Sequence, residues 1–174
     1  MPWIREIFHQ PDLNLNGTFF YREAVRAIVF RKDHLLMVHS RVDGDYKFPG
    51  GGLNPGETHV QALKREMAEE AGARLLEVRG EAGRVTEYDR RVDGRYDLFK
   101  MLSVYYICRI DTRLGSTHLD PYEDELGFVP VWISVQDALM ANRSVLQAGQ
   151  PPRWTQREIL VLEILASGEI SNNG

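Results

Sequence analysis

Residues 51–73 read GGLNPGETHVQALKREMAEEAGA, a glycine- and proline-rich run followed by a charged amphipathic one. The first part predicts a loop, and the second predicts a helix from Thr58 to Ala71 that ends at Gly72. Helical spacing places four apolar residues on one stripe, which we expect to face the core: Val60, Leu63, Met67 and Ala71. The segment therefore predicts a loop and a helix that together bring acidic side chains close to the core.

Three of these acids share one side of the predicted helix. Glu66, Glu69 and Glu70 fall within an arc of about 100° beside the apolar stripe. Glu69 and Glu70 also occupy the last turn, where a carboxylate is unfavourable by about 0.3–1 kcal/mol because the helix dipole is negative there. Arg65 can pair with Glu69 one turn away, but one cation does not neutralise three anions. A solvated acidic face is the alternative, and it is disfavoured because the acids lie in the last turn beside the core. Clustered carboxylates there suit Mg²⁺ or Mn²⁺, with water and phosphate oxygens as further ligands.

The spacing of the fixed residues is more specific than any one of them. The run Gly51-x5-Glu57-x7-Arg65-Glu66-Met67-x-Glu69-Glu70-x-Gly72-Ala73 resembles the signature of the Nudix hydrolases. Only Ala73 departs from it, since a larger aliphatic residue is usual there. The resemblance implies an α/β fold, namely an α/β/α sandwich with a mixed β-sheet between helices. Because no linker or low-complexity stretch divides the 174 residues, we expect one such domain over residues 1–174.

The resemblance also implies roles within the signature. Four residues are expected to bind the metal: Gly51 through its carbonyl, Glu66, Glu69 and Glu70. Glu69 is either a ligand or the group that orients or deprotonates the attacking water, and Glu57 has an outer-shell or shared-metal role. Arg65 is expected to hold the carboxylates in place. If Glu70 binds the metal, Glu70→Gln should remove turnover. Because it also relieves repulsion between like charges, the substitution should not lower the stability of the metal-free protein.

Outside the signature the candidates rest on weaker patterns. Some members of the family take a general base from a later loop, and an acidic stretch here lies in the corresponding part of the chain. Glu123 or Glu125 could reach the metal from it, although a surface loop is the more common meaning of such a run. Three residues are candidates for substrate binding: Arg26, Lys47 and Gly52. Four aromatic residues could stack on a base, although strand aromatics more often belong to the core: Tyr46, Phe48, Tyr105 and Trp132. His59, early in the helix, is expected to be exposed and without a role.

Three functions are compared. The favoured one is a metal-dependent pyrophosphohydrolase that cleaves a nucleoside diphosphate linked to a moiety X, as in a nucleoside triphosphate, ADP-ribose or a nucleotide sugar, with water attacking phosphorus. The second is a sensing module of the same family that binds nucleotides without turnover. The third is an isomerase of prenyl diphosphates, which is discounted because it needs a cysteine at the pocket and Cys108 lies within an apolar strand.

Composition limits the partners. A net charge of −4 and a pI near 5.7 argue against broad nucleic-acid binding, so a small nucleotide is the expected partner. The start of the chain lacks a signal-peptide core and no apolar run reaches membrane-spanning length, so we expect a cytoplasmic protein without membrane contact. The resemblance leaves a homodimer open.

Periodicity and turn residues predict the remaining elements. The predicted strands are 24–30 and 35–40, joined as a hairpin, 84–91 and 96–111, joined by a turn at 92–95, and 128–133. Residues 112–126 are predicted to form a loop. Further helices are predicted at 135–142, capped by Ser134, and at 156–167, capped by Thr155.

Overall fold

The computed structural model describes residues 1–90 and 94–168. Its strands are β1 (Trp3–Phe8), β2 (Phe19–Ile28), β3 (Phe30–Arg31), β4 (His34–Ser40), β5 (Tyr46–Lys47), β6 (Ala73–Arg90), β7 (Leu98–Leu114) and β8 (Phe128–Ser134). Its helices are α1 (His59–Ala71), α2 (Pro121–Glu125), α3 (Val135–Gln147) and α4 (Thr155–Ala166). No helix in these described ranges combines the length and the apolar character needed to cross a membrane.

The strands form two sheets. The first has the order β1-β6-β7-β2, in which β6 and β7 are antiparallel while β1 and β2 join the edges in parallel. The second is antiparallel, with β3, β5 and β8 all pairing with β4. The loop that precedes α1 connects them, since Gly52 forms a β-bridge with Ala24 of β2.

Helices cover the sheets on both sides, and β4 shows this most clearly. Leu36 packs in a buried cluster with Leu63 of α1, whereas its neighbour Leu35 packs in another with Leu139 of α3 and Leu162 of α4. Adjacent residues of a strand point to opposite faces, so α1 lies on one face and α3 with α4 on the other. The predicted α/β class and the mixed sheet between helices are confirmed.

Several predicted boundaries are wrong. The strand β6 begins at Ala73, whereas the predicted strand began at Arg84. Its first half was missed because the burial of its residues alternates irregularly and its pairing with β7 contains four register shifts. The strand β7 continues to Leu114 and α2 follows, so the predicted loop over 112–126 is only partly a loop. The strand β1 was not predicted, and α3 extends to Gln147. The predicted turn over 92–95 lies partly outside the described residues.

Individual side chains also differ from the sequence-based expectation. Val60 was predicted to face the core but is 44% exposed. The angular position of a residue around a helix does not reveal which turns of the helix the sheet covers. His59 is half-buried, and its ring nitrogens lie 2.7 Å from the Tyr106 hydroxyl and 2.9 Å from the Glu23 carboxylate. Thr155 is inside α4 and buried, and it makes no capping hydrogen bond. Cys108 is buried beside α1, as predicted for a small apolar residue.

Candidate active site

The helix α1 carries its carboxylates on the buried face. It begins with a capping box, in which Thr58 and Gln61 exchange hydrogen bonds, and ends at Gly72 in the left-handed conformation. Its last turns therefore have fixed positions. Glu66 and Glu70 are 8% and 1% exposed, and they lie on the same side as the apolar residues that contact the sheet. Two carboxylates are thus held at the edge of the core, as their angular positions predict.

The glycine loop before α1 lies against the backbone of β2. The Val25 amide donates to the Gly51 carbonyl at 3.0 Å, and the Gly50 amide donates to a Glu70 oxygen at 2.8 Å. Gly50 has a φ of 140°, and a Cβ there would lie 2.1 Å from the Val25 carbonyl. At Gly51 a Cβ would lie 2.3 Å from a Glu66 oxygen. The sequence needs glycine at both positions because backbone and carboxylates approach closely.

Arg65 joins the loop to the acids of α1. Its guanidinium donates two hydrogen bonds to Glu57 at 2.8 and 2.9 Å, one to Glu66 at 2.6 Å and one to Glu69 at 3.2 Å. A further bond at 3.0 Å reaches the Gly52 carbonyl. The hydrogen bond from Arg65 lowers the pKa of Glu57 to about 2. These contacts match the holding role expected for Arg65.

Lys47 lies between two of the buried acids, Glu70 and Glu123. The Lys47 ammonium lies 2.6 Å from a Glu70 oxygen and 3.6 Å from a Glu123 oxygen. Burial, followed by the charge of Glu70, raises the pKa of Glu123 to about 7. Burial and the same charge also raise the pKa of Glu66. The helix α2 therefore does bring Glu123 to the carboxylates of α1, a placement that its acidic sequence alone could not establish.

These residues surround a cavity of about 430 Å³. Eight sequence-predicted residues line it: Arg26, Lys47, Gly51, Gly52, Arg65, Glu66, Glu70 and Glu123. Among the described residues, Glu69 is a predicted site residue that does not line the cavity; its side chain is 41% exposed. The aromatic residues at the cavity are Tyr122 and Trp154, and none of the four proposed for base stacking lies there.

Several cavity residues were missed, among them Met101 and Arg157, whose sequence context gives no signal. Met101 lies on β7 opposite Arg22, and Arg157 is a buried arginine near the start of α4. The structure also places Arg22 at the cavity. Such residues reach the site through strand pairing and helix packing, which no local spacing encodes.

A comparison with known families agrees with this geometry. The NUDIX domain family model matches residues 20–154, which include the glycine loop, α1 and α2. This chain belongs to the Nudix hydrolase family. The resemblance of residues 51–73 to the family signature is thereby confirmed, and the Nudix motif coincides with the acidic wall of the cavity.

Several named Nudix relatives are similar to this chain. An RNA pyrophosphohydrolase of Helicobacter pylori (strain G27) is 36% identical over 75 residues, which cover 40% of this chain and 48% of that protein. The chain thus spans about half the length of that relative. An RNA pyrophosphohydrolase of Hydrogenovibrio crunogenus is 31% identical over 143 residues, which cover 72% of this chain and 83% of that protein.

Solved structures show the same fold. The solution structure of the E. coli ORF135 protein has a TM-score of 0.55 at 22% identity, covering 88% of this chain and 94% of that chain. A NUDIX hydrolase from Nitrosomonas europaea has a TM-score of 0.52 at 22% identity, covering 86% and 90%. At this identity the likeness concerns the fold alone.

The Nudix family uses divalent cations, and the residues at the cavity fit such an ion chemically. Glu66, Glu70 and Glu123 offer hard oxygen donors, and the missing side chain at Gly51 leaves space beside the Glu66 carboxylate. Within residues 1–90 and 94–168, no three His, Cys, Asp or Glu side chains are already arranged as a metal site. Lys47 and Arg65 instead hold the acids in this structure.

Proposed function

We propose that this chain is a divalent-metal-dependent pyrophosphohydrolase that cleaves a nucleoside diphosphate linked to a moiety X, with water attacking phosphorus. One observation carries this proposal. Glu66 and Glu70, buried together on α1, form one wall of a cavity whose other walls include the cations of Arg22 and Arg26. A polyphosphate with bound cations complements such a site, because its oxygens are shared between the metal and the arginines.

The metal would be Mg²⁺ or Mn²⁺, held by Glu66 and Glu70 with the Gly51 carbonyl as a further donor. When bound, it supplies a Lewis acid for the phosphoryl oxygens and lowers the pKa of water. The predicted ligand Glu69 stands at the rim, held by Arg65 at 3.2 Å. From there we assign to it the alternative role, orienting the attacking water.

The general base and the substrate contacts come from residues outside α1. Glu123 is the candidate base, because its carboxylate lines the cavity beside Lys47. Arg26 and Lys47 are the candidates for phosphate binding, and Gly52 lets the backbone come close to the substrate. Arg26 already donates from its guanidinium to the Gly50 carbonyl, which aims it across the cavity.

The moiety X remains open among a nucleoside triphosphate, ADP-ribose and a nucleotide sugar. The relatives named RNA pyrophosphohydrolases add the triphosphorylated end of an RNA chain to these candidates. The expected substrates are therefore no longer small nucleotides alone. The exposed ring of Tyr122 and the half-buried ring of Trp154 provide faces on which a base of any of these substrates can stack.

The test follows product release from a panel containing all four substrate classes, with Mg²⁺, with Mn²⁺ and with a chelator. The triphosphates are followed by release of phosphate or pyrophosphate. ADP-ribose and nucleotide sugars are followed by release of phosphomonoesters, which a coupled phosphatase converts to phosphate. We expect one class to turn over, and only with metal. Glu66→Gln should lower kcat by about 10²–10³-fold, as loss of one preorganised electrostatic group does. The matched control is Glu163→Gln, which changes an exposed carboxylate that pairs with Arg143 on α3. Nucleotide binding without turnover across the panel would favour the sensing module instead.

A further inference from the structure

A buried chain of charges connects α4 to the strand that leads into the glycine loop. Glu158 is fully buried, and one of its oxygens accepts the Phe48 amide at 2.9 Å. Its other oxygen accepts two bonds from the Arg157 guanidinium, at 2.8 and 3.1 Å. Arg157 also donates to Glu87 of β6 at 2.7 Å, and Glu87 contacts His9 at 3.2 Å.

The same strand is held at two further points by the helices on this side. The Asn142 side chain of α3 accepts the Tyr46 amide at 2.8 Å and donates to the Tyr46 carbonyl at 2.8 Å. The Trp154 indole donates to a carboxylate oxygen of Asp45. Three side chains, one from α3, one from α4 and one from the residue that precedes α4, therefore fix consecutive parts of residues 45–48.

Burying Arg157 and Glu158 is costly, and packing alone does not require it. A buried ion pair is often no more stabilising than apolar residues of the same volume, so its geometry is better explained by specificity than by stability. Here the contacts lead from Glu158 towards the cavity. Phe48 stands two residues before Gly50, whose amide holds Glu70 at 2.8 Å. A shift at Phe48 is therefore transmitted to a carboxylate of the cavity.

We propose that Glu158 is a positioning residue: held by Arg157, it fixes Phe48 and through it the glycine loop against Glu70. The inference rests on the proposed function for its kinetic consequence, but not for its structural one. Glu158 does not line the cavity itself; it is held by Arg157, which does, and it reaches Glu70 through the backbone of residues 48–50. The helix α4 thus contributes to the site both by lining it with Arg157 and by positioning the glycine loop.

The experiment uses Glu158→Asp, which keeps the charge and withdraws the carboxylate by one methylene. We expect kcat to fall by about 10²-fold, the loss typical of a misplacement of about 1 Å, with KM little changed. The affinity for Mn²⁺, followed by its spin resonance, should fall as well. Glu163→Asp is the matched control on the same helix, because its exposed carboxylate contacts only α3 at 2.7 Å, and it should change none of these values.

Amide exchange followed by NMR separates positioning from loss of folding. In the wild-type protein the amides of Phe48 and Gly50 should exchange slowly, and in Glu158→Asp both should exchange faster while α1 stays protected. A variant that is less stable yet keeps wild-type kcat and Mn²⁺ affinity would overturn the proposal. So would rapid exchange of the Phe48 amide in the wild-type protein, which decides the matter even if the variant does not fold. An inactive wild type with the expected exchange and Mn²⁺ changes would contradict the proposed reaction alone.

Discussion

Replacing Glu70 by glutamine should destabilise the protein, in contrast to the expectation from sequence. The sequence shows three neighbouring acids and predicts relief of repulsion. The structure adds Lys47, whose ammonium lies 2.6 Å from Glu70, with side chains that are 7% and 1% exposed. Glu70→Gln leaves that ammonium buried with Glu123 as its nearest remaining carboxylate, at 3.6 Å.

The magnitude follows from these contacts. Removing one partner of a buried ion pair costs about 3–5 kcal/mol, and a hydrogen bond to a charged group contributes about 1.5–3 kcal/mol. Because glutamine still accepts the Gly50 amide and Glu123 stays near Lys47, we expect a loss near the middle, about 2–3 kcal/mol. For a chain of this size that lowers Tm by about 4–12 °C.

The assay is thermal and urea unfolding at neutral pH in the presence of a chelator. The double variant Lys47→Met/Glu70→Gln removes the charge on both sides and should recover most of the loss, since it leaves no buried ammonium without its partner. Glu69→Gln is the control, because the pair of Glu69 with Arg65 is partly exposed and should contribute about 0–1 kcal/mol. An unchanged Tm in Glu70→Gln, or a double variant no more stable than it, would refute the reasoning.

Three further outcomes are expected. Gly50→Ala should lower the free energy of unfolding by about 1–3 kcal/mol, because its φ of 140° and a backbone carbonyl at 2.1 Å leave no room for a Cβ. Gly51→Ala should mainly weaken Mn²⁺ binding. Equal losses of unfolding free energy in the two variants would contradict this. The hydrogen bond to Glu87 raises the pKa of His9. Protonated His9 therefore stabilises the folded protein fully below pH ~6.5, and this contribution is lost as pH rises through the folded-state pKa. Urea unfolding at pH ~6 and ~8 should show this loss of unfolding free energy in the wild type but not in His9→Gln. Burial raises the pKa of Cys108 to about 12, so iodoacetamide should modify it only in urea, and rapid labelling of the native protein would show that the strand is open.

The sequence predicts the local part of the site well and the distant part poorly. Glu66 and Glu70 could be placed at the core because their angles on a helix follow from spacing alone. The same reasoning misplaced Val60, since it does not tell how far the sheet extends beneath a helix. Arg157 could not be found, because it reaches the cavity only through packing of α4 against the sheet.

The strands show the same limit. A hairpin of strands 24–30 and 35–40 was predicted from two apolar runs around a short polar turn. Phe30 does pair with Leu35, but residues 24–28 belong to β2, which pairs with β7 instead of β4. The first half of β6 was missed because bulges displace its pairing with β7 and break the period of two on which strand prediction depends.

Charge balance explains why the site needs parts from so many elements. A helix that buries two carboxylates side by side, Glu66 and Glu70, takes like charges out of water, which is costly unless cations stand nearby. The signature provides one such cation, Arg65, and it reaches Glu66 at 2.6 Å but does not hold Glu70. Glu70 depends on Lys47, which comes from β5, and on the Gly50 amide, which is placed by the strand that α3 and α4 hold. The short motif therefore supplies the carboxylates, while their charge balance and position depend on the rest of the fold.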